Sequence, residues 1–387
     1  MTLRLGSAAS RQLAGWFSVA LLATAASCSS SDTSNGSSGP SPTSAAATTE
    51  APAGEPPVTT TDAVPLPTDT TAAEPTETTP ATEPTESTIS SGPAELLTID
   101  ELLALGRPIV LAHTAGEDEF PASTLFGFGE SVKAGVDMLD MNVQLTSDGV
   151  LVVHHDDTVD RATNGNGVVA SMTFAQIAQL DDAYWFTADC VCTDQPAEAY
   201  LYRGIRTGDV PPPAGYTADD FAVPTFRDVV ARFPNLPINI EIKGNGGPAL
   251  AAAEVLAEEI QQLGIEDSVV MTSFDDEIVA AIQALLPDVE VSPGLGASTE
   301  FVLAGIALPA GQRILQFPPE FDGIVVITDD LIARSKAAGY VIWVWPNNRD
   351  LENLQSYRDF LDMGIEGLNI NFPAAGVQAV TEYLAAR

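Results

Sequence analysis

Basic residues are scarce in this chain. Its 387 residues include 16 Lys and Arg against 53 Asp and Glu, a formal net charge of −37. No Lys or Arg occurs between Arg11 and Arg107. A protein that tracks a nucleic-acid backbone neutralises phosphates with clustered cations, so no nucleic-acid partner is expected. The same charge repels small anions at long range. A phosphate-handling site would therefore need a bound cation or a local basic residue. Cysteine is rare too, with Cys28, Cys190 and Cys192 only. Cys190 and Cys192 as a pair offer too few ligands for a metal site. Cys190 and Cys192 read as two loop cysteines, bridged or free, since a bridge across one residue closes a tight ring. Long apolar runs are also missing. The stretch at about 13–26 is too short to span a bilayer comfortably.

That stretch follows Arg4 and Arg11 and ends in Ala25-Ala26-Ser27-Cys28. The pattern is that of an export signal, and small residues before a Cys resemble a bacterial lipoprotein cleavage site. Residues 1–28 are expected to be the signal, with lipid on Cys28 tethering the chain to a membrane without a transmembrane helix. An ordinary secretory signal is the alternative. Either way the chain is exported, as a cell-envelope lipoprotein or a secreted protein. From 29 to 96 aromatics are absent and Ser, Thr, Pro, Ala and Glu dominate. Such a segment cannot bury enough apolar surface to offset its ordering entropy. It is expected to be a disordered acidic linker.

Residues 97–387 have a different grammar. Short apolar runs at 108–113, 138–145, 150–155, 237–242, 268–273, 289–294, 323–327, 341–345 and 367–370 read as strands. Amphipathic stretches between them read as helices. This alternation predicts a parallel sheet with crossover helices, and its length fits an α/β (β/α)8 TIM barrel. A doubly wound open sheet is the runner-up, but no glycine-rich dinucleotide loop follows the first strand. One pair breaks the alternation. Ser147-Asp148-Gly149 predicts a hairpin between the second and third strands, and a turn centred between Asp148 and Gly149 sets Asn142 opposite His155.

Only three histidines are present, His113, His154 and His155. His113 ends the first strand and His155 the third, and barrel active sites lie at the carboxyl ends of strands. His154 and His155 point to opposite faces, so at most one faces the site. Asp140 and Asn142 share one face of the second strand, as Glu241 and Lys243 do on the fourth. Oxygen ligands on an inward strand face suit a hard cation, Ca2+ or Mg2+. An ammonium beside them suits phosphate. The bland readings are a hydrogen-bonded polar layer and an internal salt bridge.

Taken together these residues resemble the glycerophosphodiester phosphodiesterase family, whose barrels are akin to those of the phosphatidylinositol phospholipases C. The similarity is densest over 135–165, through Val143-Gln144-Leu145-Thr146 and His155-Asp156-Asp157-Thr158 to Asp160-Arg161. It continues in Val223-Pro224-Thr225, Asn239-Ile240-Glu241-Ile242-Lys243 and Ser273-Phe274-Asp275. The resemblance implies a TIM barrel over 97–387, His113 and His155 as acid–base pair, Asp140, Asn142 and Glu241 as metal ligands, and Lys243 at the phosphate. It implies hydrolysis of a small-molecule glycerophosphodiester to glycerol phosphate and an alcohol. Several positions depart from the family pattern. Thr114 stands in place of Arg, Ala122-Ser123 of Glu-Asn, Asp140 of Glu, Asn142 of Asp, and Ile370-Asn371 of Thr-Asp. These losses weaken the expected metal and phosphate contacts, so a weak or inactive barrel that binds phosphodiester head groups is the alternative. A long insert, 182–221, is expected to cap the mouth.

Overall fold

A computed structural model describes residues 95–188 and 190–387. The expected export signal, Cys28 and the linker as far as residue 94 lie outside the described residues. Among those described, no helix is long and apolar enough to cross a membrane.

The strands in chain order are β1 (Ile109–Ala112), β2 (Met138–Leu145), β3 (Leu151–Val153), β4 (Ile238–Ile242), β5 (Val269–Thr272), β6 (Glu290–Val291), β7 (Ile314–Phe317), β8 (Glu320–Phe321), β9 (Ile324–Val325), β10 (Val341–Val344) and β11 (Gly367–Ile370). The helices are α1 (Ile99–Leu103), α2 (Leu125–Ala134), α3 (Phe174–Ile177), α4 (Phe226–Arg232), α5 (Gly246–Leu263), α6 (Asp276–Leu285), α7 (Leu295–Ala304), α8 (Asp329–Ala337), α9 (Leu354–Met363) and α10 (Pro373–Ala385). Eight strands pair in parallel in the order β6-β5-β4-β2-β1-β11-β10-β7. Side chains tie the two end strands together. Arg313 pairs with Glu290 at 2.8 Å, and Gln316 donates to Ser292 at 2.9 Å. The result is a nearly closed barrel, as the alternation of elements predicts.

Strand parity decides what goes where. Outward residues such as Leu139, Met141, Ile240, Leu368 and Ile370 pack with the surrounding helices in the main core. Inward residues fill the floor: Ile109, Leu111, Met138, Val270, Ile314 and Trp343 form a second cluster, plugged by Ile99 and Leu102 of α1. Gly367 allows the Trp343 ring to approach, because a Cβ there would lie 2.3 Å from it. One layer above this floor the inward residues turn polar, and the site begins.

Two expectations about strands need correction. The run at 323–327 is not a barrel strand; β8 and β9 form a separate small antiparallel hairpin. The barrel strand is β7, whose Ile-Leu-Gln-Phe is interrupted by an inward Gln and closed by Pro318-Pro319. The 323–327 segment has the stronger β-branched composition, but Ile324 and Val325 stand exposed. The β2–β3 hairpin does form, one residue out of the expected register. Val143 faces Val153 and Leu145 faces Leu151, and the His154 N–H donates to the Asn142 carbonyl. The turn is three residues, Ser147 to Gly149, with Gly149 in the left-handed region at φ 79° and Thr146 N–H donating to the Val150 carbonyl. Asn142 is therefore opposite His154, not His155.

Candidate active site

A cavity of about 590 Å³ opens at the carboxyl ends of the strands. His113, Asp140, His155, Glu241 and Lys243 all line it. Asn142 does not line it. Its side chain is buried on β2, with an Nδ2 that lacks a partner.

His113 follows directly on β1, in a tight turn where Thr114, Ala115 and Gly116 all have positive φ (45°, 73° and 82°). Two consecutive non-glycine residues in that region store strain, which fixes where the imidazole leaves the strand. The Thr114 N–H donates to Asp140 Oδ2 at 3.3 Å. The His113 Nδ1–H donates to Asn371 Oδ1 at 2.7 Å. Asn371 Nδ2 donates to Asp118 at 3.0 Å and to Glu117 at 3.4 Å. Those carboxylates accept only, so the amide oxygen must face the imidazole, and His113 Nε2 is left for chemistry. Burial alone would lower the His113 pKa. The carboxylates of Asp140 and Glu117 outweigh it, with help from Asn371, and hold the pKa above its ordinary value.

His155 follows β3. Its Nδ1–H donates to Asp156 at 2.6 Å, and the Lys243 ammonium donates to Nε2 at 3.2 Å. That Nε2 therefore carries a lone pair. Burial pushes Asp156 up, but His155 and the clamping Arg161 overcome it and hold it well below the carboxylate range. The two imidazoles face each other edge to face, 6.3 Å between centroids and 76° between planes. His154, one residue earlier, points the other way. It is buried, 3.1 Å from the Thr158 carbonyl, and burial lowers its pKa.

Beneath the imidazoles lies a layer of amides. Asn239 and Asn369 both donate to Asp140 Oδ1, Asn239 and Gln316 exchange hydrogen bonds, and Gln316 reaches Ser292. Among the described residues Asp140 forms no ion pair with a lysine or arginine, and burial raises its pKa. Glu241 accepts from Lys243 at 3.0 Å. Among the described residues no three His, Cys, Asp or Glu side chains cluster as a metal site. The donor chemistry still fits a hard cation held by two carboxylates. Asp140 and Glu241 both face the cavity, and the Asn369 Oδ1 beside Asp140 is buried without a partner. Sequence reasoning missed Asn369, Glu117, Asp118 and the amide layer. The even spacing of Asn369 on β11 and Asn371 just past its end was the available signal.

The opposite wall is apolar. α7 lines it with Leu295, Val302 and Leu303 beside the hydroxyls of Ser298 and Thr299, and the β8–β9 hairpin adds Phe321 and Ile324. Phe274 and Trp345 meet edge to face at its border, 6.1 Å apart. Insert 182–221 reaches the cavity through Val191, beside the Cys190–Cys192 disulfide that joins the two loop cysteines. Arg349 bonds the Ala188 carbonyl and Asp118, fastening this loop to the rim. Most of the insert packs elsewhere, with Tyr202, Tyr216 and Phe221 around Phe126 of α2. Among the described residues of the insert expected to cap the mouth, Val191 lines the cavity.

Fold and site together define a (β/α)-barrel with a two-imidazole centre at the rim that carries active sites in such barrels. The family model for the glycerophosphoryl diester phosphodiesterase family matches residues 113–375, and the chain belongs to that family. A glycerophosphodiester phosphodiesterase of Bacillus altitudinis is 24% identical over 70% of this chain and 96% of its own length. One from Caldanaerobacter subterraneus is 28% identical over 48% of this chain and 65% of its own. Among solved structures, the glycerophosphoryl diester phosphodiesterase domain of a Mycobacterium tuberculosis protein superposes with a TM-score of 0.54 at 20% identity, covering 70% of this chain and 98% of that one. An Oleispira antarctica phosphodiesterase in complex with the product sn-glycerol-3-phosphate gives 0.54 at 18% identity, covering 72% and 99%. These likenesses support the barrel.

Proposed function

We propose that this chain hydrolyses glycerophosphodiesters to glycerol phosphate and an alcohol, with His113 as general acid and His155 as general base. The observation that carries the reading is the facing imidazole pair, each ring with its Nδ1 committed to an acceptor and its Nε2 left for proton transfer. The environments differ in the useful sense. Asp140 and Glu117 favour the imidazolium of His113, while the ammonium of Lys243 requires a lone pair on His155. When substrate enters, Lys243 turns from His155 to the phosphoryl oxygens. Water's oxygen bonds to phosphorus as the P–O bond to the alcohol breaks. His155 Nε2 takes the proton from water, and His113 Nε2–H supplies one to the departing alkoxide. Asp140 and Glu241, with the Asn369 amide oxygen, are the groups that would hold a divalent cation, Ca2+ or Mg2+. When bound, it would offset charge on the phosphoryl oxygens.

The test is release of glycerol phosphate from glycerophosphocholine and glycerophosphoethanolamine by the full chain, with Ca2+ or Mg2+ added. A folded protein that releases none in either metal refutes the reading. Export and a lipid on Cys28 are part of the same proposal, and loss of palmitate labelling in Cys28→Ala checks them.

A further inference from the structure

The proposed reaction needs two Nε2 atoms aimed at one phosphorus, yet the strands that carry them are not ladder neighbours. His113 follows β1, which pairs with β2 and β11, whereas His155 follows β3, which lies off the barrel path and pairs with β2. Side chains make the connection instead. Arg161 Nε donates to Asp156 Oδ2 at 2.5 Å and Nη2 to Asp156 Oδ1 at 3.2 Å, a two-bond grip on the carboxylate that holds His155 Nδ1–H. Its other arm, Nη1, crosses to Glu117 Oε2 at 3.4 Å, 44 residues away in sequence. Glu117 Oε1 accepts from the Asn371 amide at 3.4 Å, and the oxygen of that amide accepts from His113 at 2.7 Å. One guanidinium thus stands in the middle of a chain of hydrogen bonds that runs from one imidazole to the other.

The loop that presents Arg161 is closed on itself. Thr158 bridges to Val168, the Val159 N–H donates to the Gly167 carbonyl, and Thr163 donates twice to the Val159 carbonyl. Charge needs the arginine too, because Asp156 and Glu117 are like charges behind one reactive pair. Burial pushes Glu117 up, but His113 and Arg161 outweigh it and hold its pKa below the ordinary value. Arg161 is partly buried and does not line the cavity, so it acts through other groups.

We propose that Arg161 is a positioning residue: by spanning Asp156 and Glu117 it sets the separation and angle of the two imidazoles, so that both Nε2 atoms meet one phosphodiester. This role rests on the hydrolase reading above. A lysine does not take it over, because one ammonium lacks the planar fork that grips a carboxylate twice and reaches a second.

The experiment uses the full chain and glycerophosphocholine. Arg161→Gln and Arg161→Lys should each lower kcat on the order of 10–100-fold with KM within about twofold, and circular dichroism checks folding. Glu117→Gln should lower kcat as well. Adding Arg161→Gln to it should then bring a smaller loss than Arg161→Gln brings alone, because the span is already broken. Should Arg161→Gln not fold, Arg161→Lys carries the same cycle. Fully additive losses, an unchanged kcat, or a loss carried by KM overturn the inference and leave the hydrolase reading standing. If the wild type cleaves no diester, the hydrolase reading fails, and the imidazole proton resonances decide the span. With three histidines in the chain, the Nδ1–H signals of His113 and His155 are separable in isotope-labelled protein. A shift of both in Arg161→Gln supports the span; a shift of only one, or of neither, overturns it.

Discussion

The two walls of the cavity are built by opposite means. The polar wall is a property of the barrel: β1, β2, β4, β7 and β11 deliver His113, Asp140, Glu241, Gln316 and Asn369, and ladder pairing fixes their heights. Each polar group there is held by another, so its geometry is determined before substrate arrives. The apolar wall comes from a helix and a hairpin outside the barrel ladder, with exposed side chains and few partners. On the proposed function, chemistry belongs to the barrel side of the mouth, and α7 and the hairpin are free to serve recognition. The same division predicts how substitutions behave. Changes on the polar side should lower turnover for every substrate, and changes on the apolar side should move selectivity.

The sharpest test of that division is loss of either imidazole. His113→Ala and His155→Ala should each reduce kcat by about 10²–10⁴, on glycerophosphocholine and glycerophosphoethanolamine alike. Single-turnover assays with circular dichroism as folding control would read this. A loss confined to one substrate would break the comparison, since it would make the histidine a recognition group. Lys243→Met is expected to follow, with a loss on the order of 10–100-fold, because a hydrogen bond to charged phosphate contributes about 1.5–3 kcal/mol.

How much of this was legible in the sequence follows the same line. The polar wall was legible because strand parity and strand ends are readable. His113, His155, Asp140, Glu241 and Lys243 were found from alternation and from scarce residue types, and all five line the cavity. Asn142 shows the limit. It shares the inward face with Asp140 and pairs with Glu241 of β4, yet it is buried and does not line the cavity, an outcome of packing that parity does not encode. The one-residue register difference at the hairpin has a related cause. Asp148-Gly149 signals a turn, but a two-residue and a three-residue turn share that signal. The apolar wall was not legible at all. In sequence, Leu295, Val302 and Leu303 look like any helix core, and Ile324-Val325 look like a barrel strand. Only the packing shows that Phe301 already occupies the buried side of α7.

A third prediction probes the polar wall behind the imidazoles. Glu352 is 6% exposed. Its Oε2 accepts from the Tyr357 hydroxyl and from the Asn371 N–H at 3.0 Å, and its Oε1 is buried without a partner. Burial raises its pKa from 4.5 to about 7. Between those values the folded protein keeps a proton that the unfolded chain has released. Stability from this group is therefore complete below pH 4.5 and is lost as pH rises through 7. The shift corresponds to a loss of up to about 3 kcal/mol. Glu352→Gln keeps an acceptor oxygen for both donors and removes the titration. Urea unfolding at pH 5 and pH 8 should show the variant gaining on the wild type at the higher pH. An identical difference at both values would mean that the carboxyl is already ionised in the fold, and that the wall behind Asn371 is wetter than its packing implies.

The smallest effect is expected where the two walls meet, at Cys190-Val191-Cys192. Val191 is 61% exposed and lines the cavity, while Arg349 holds the same loop through the Ala188 carbonyl and also pairs with Asp118 at 3.0 Å. The loop is thus fastened twice, once by the disulfide and once by an ion-paired arginine. Closing so short a ring removes little chain entropy, on the order of 1–2 kcal/mol, and the insert's aromatic packing on α2 does not depend on it. Cys190→Ser with Cys192→Ser should therefore lower thermal stability only slightly and leave turnover of glycerophosphocholine within about a factor of three, a change on the order of 0.6 kcal/mol. If the double variant instead loses turnover of glycerophosphocholine by about tenfold or more, the Arg349–Asp118 tie does not suffice to hold the rim. The insert would then count with the polar wall that positions His113 through Asn371.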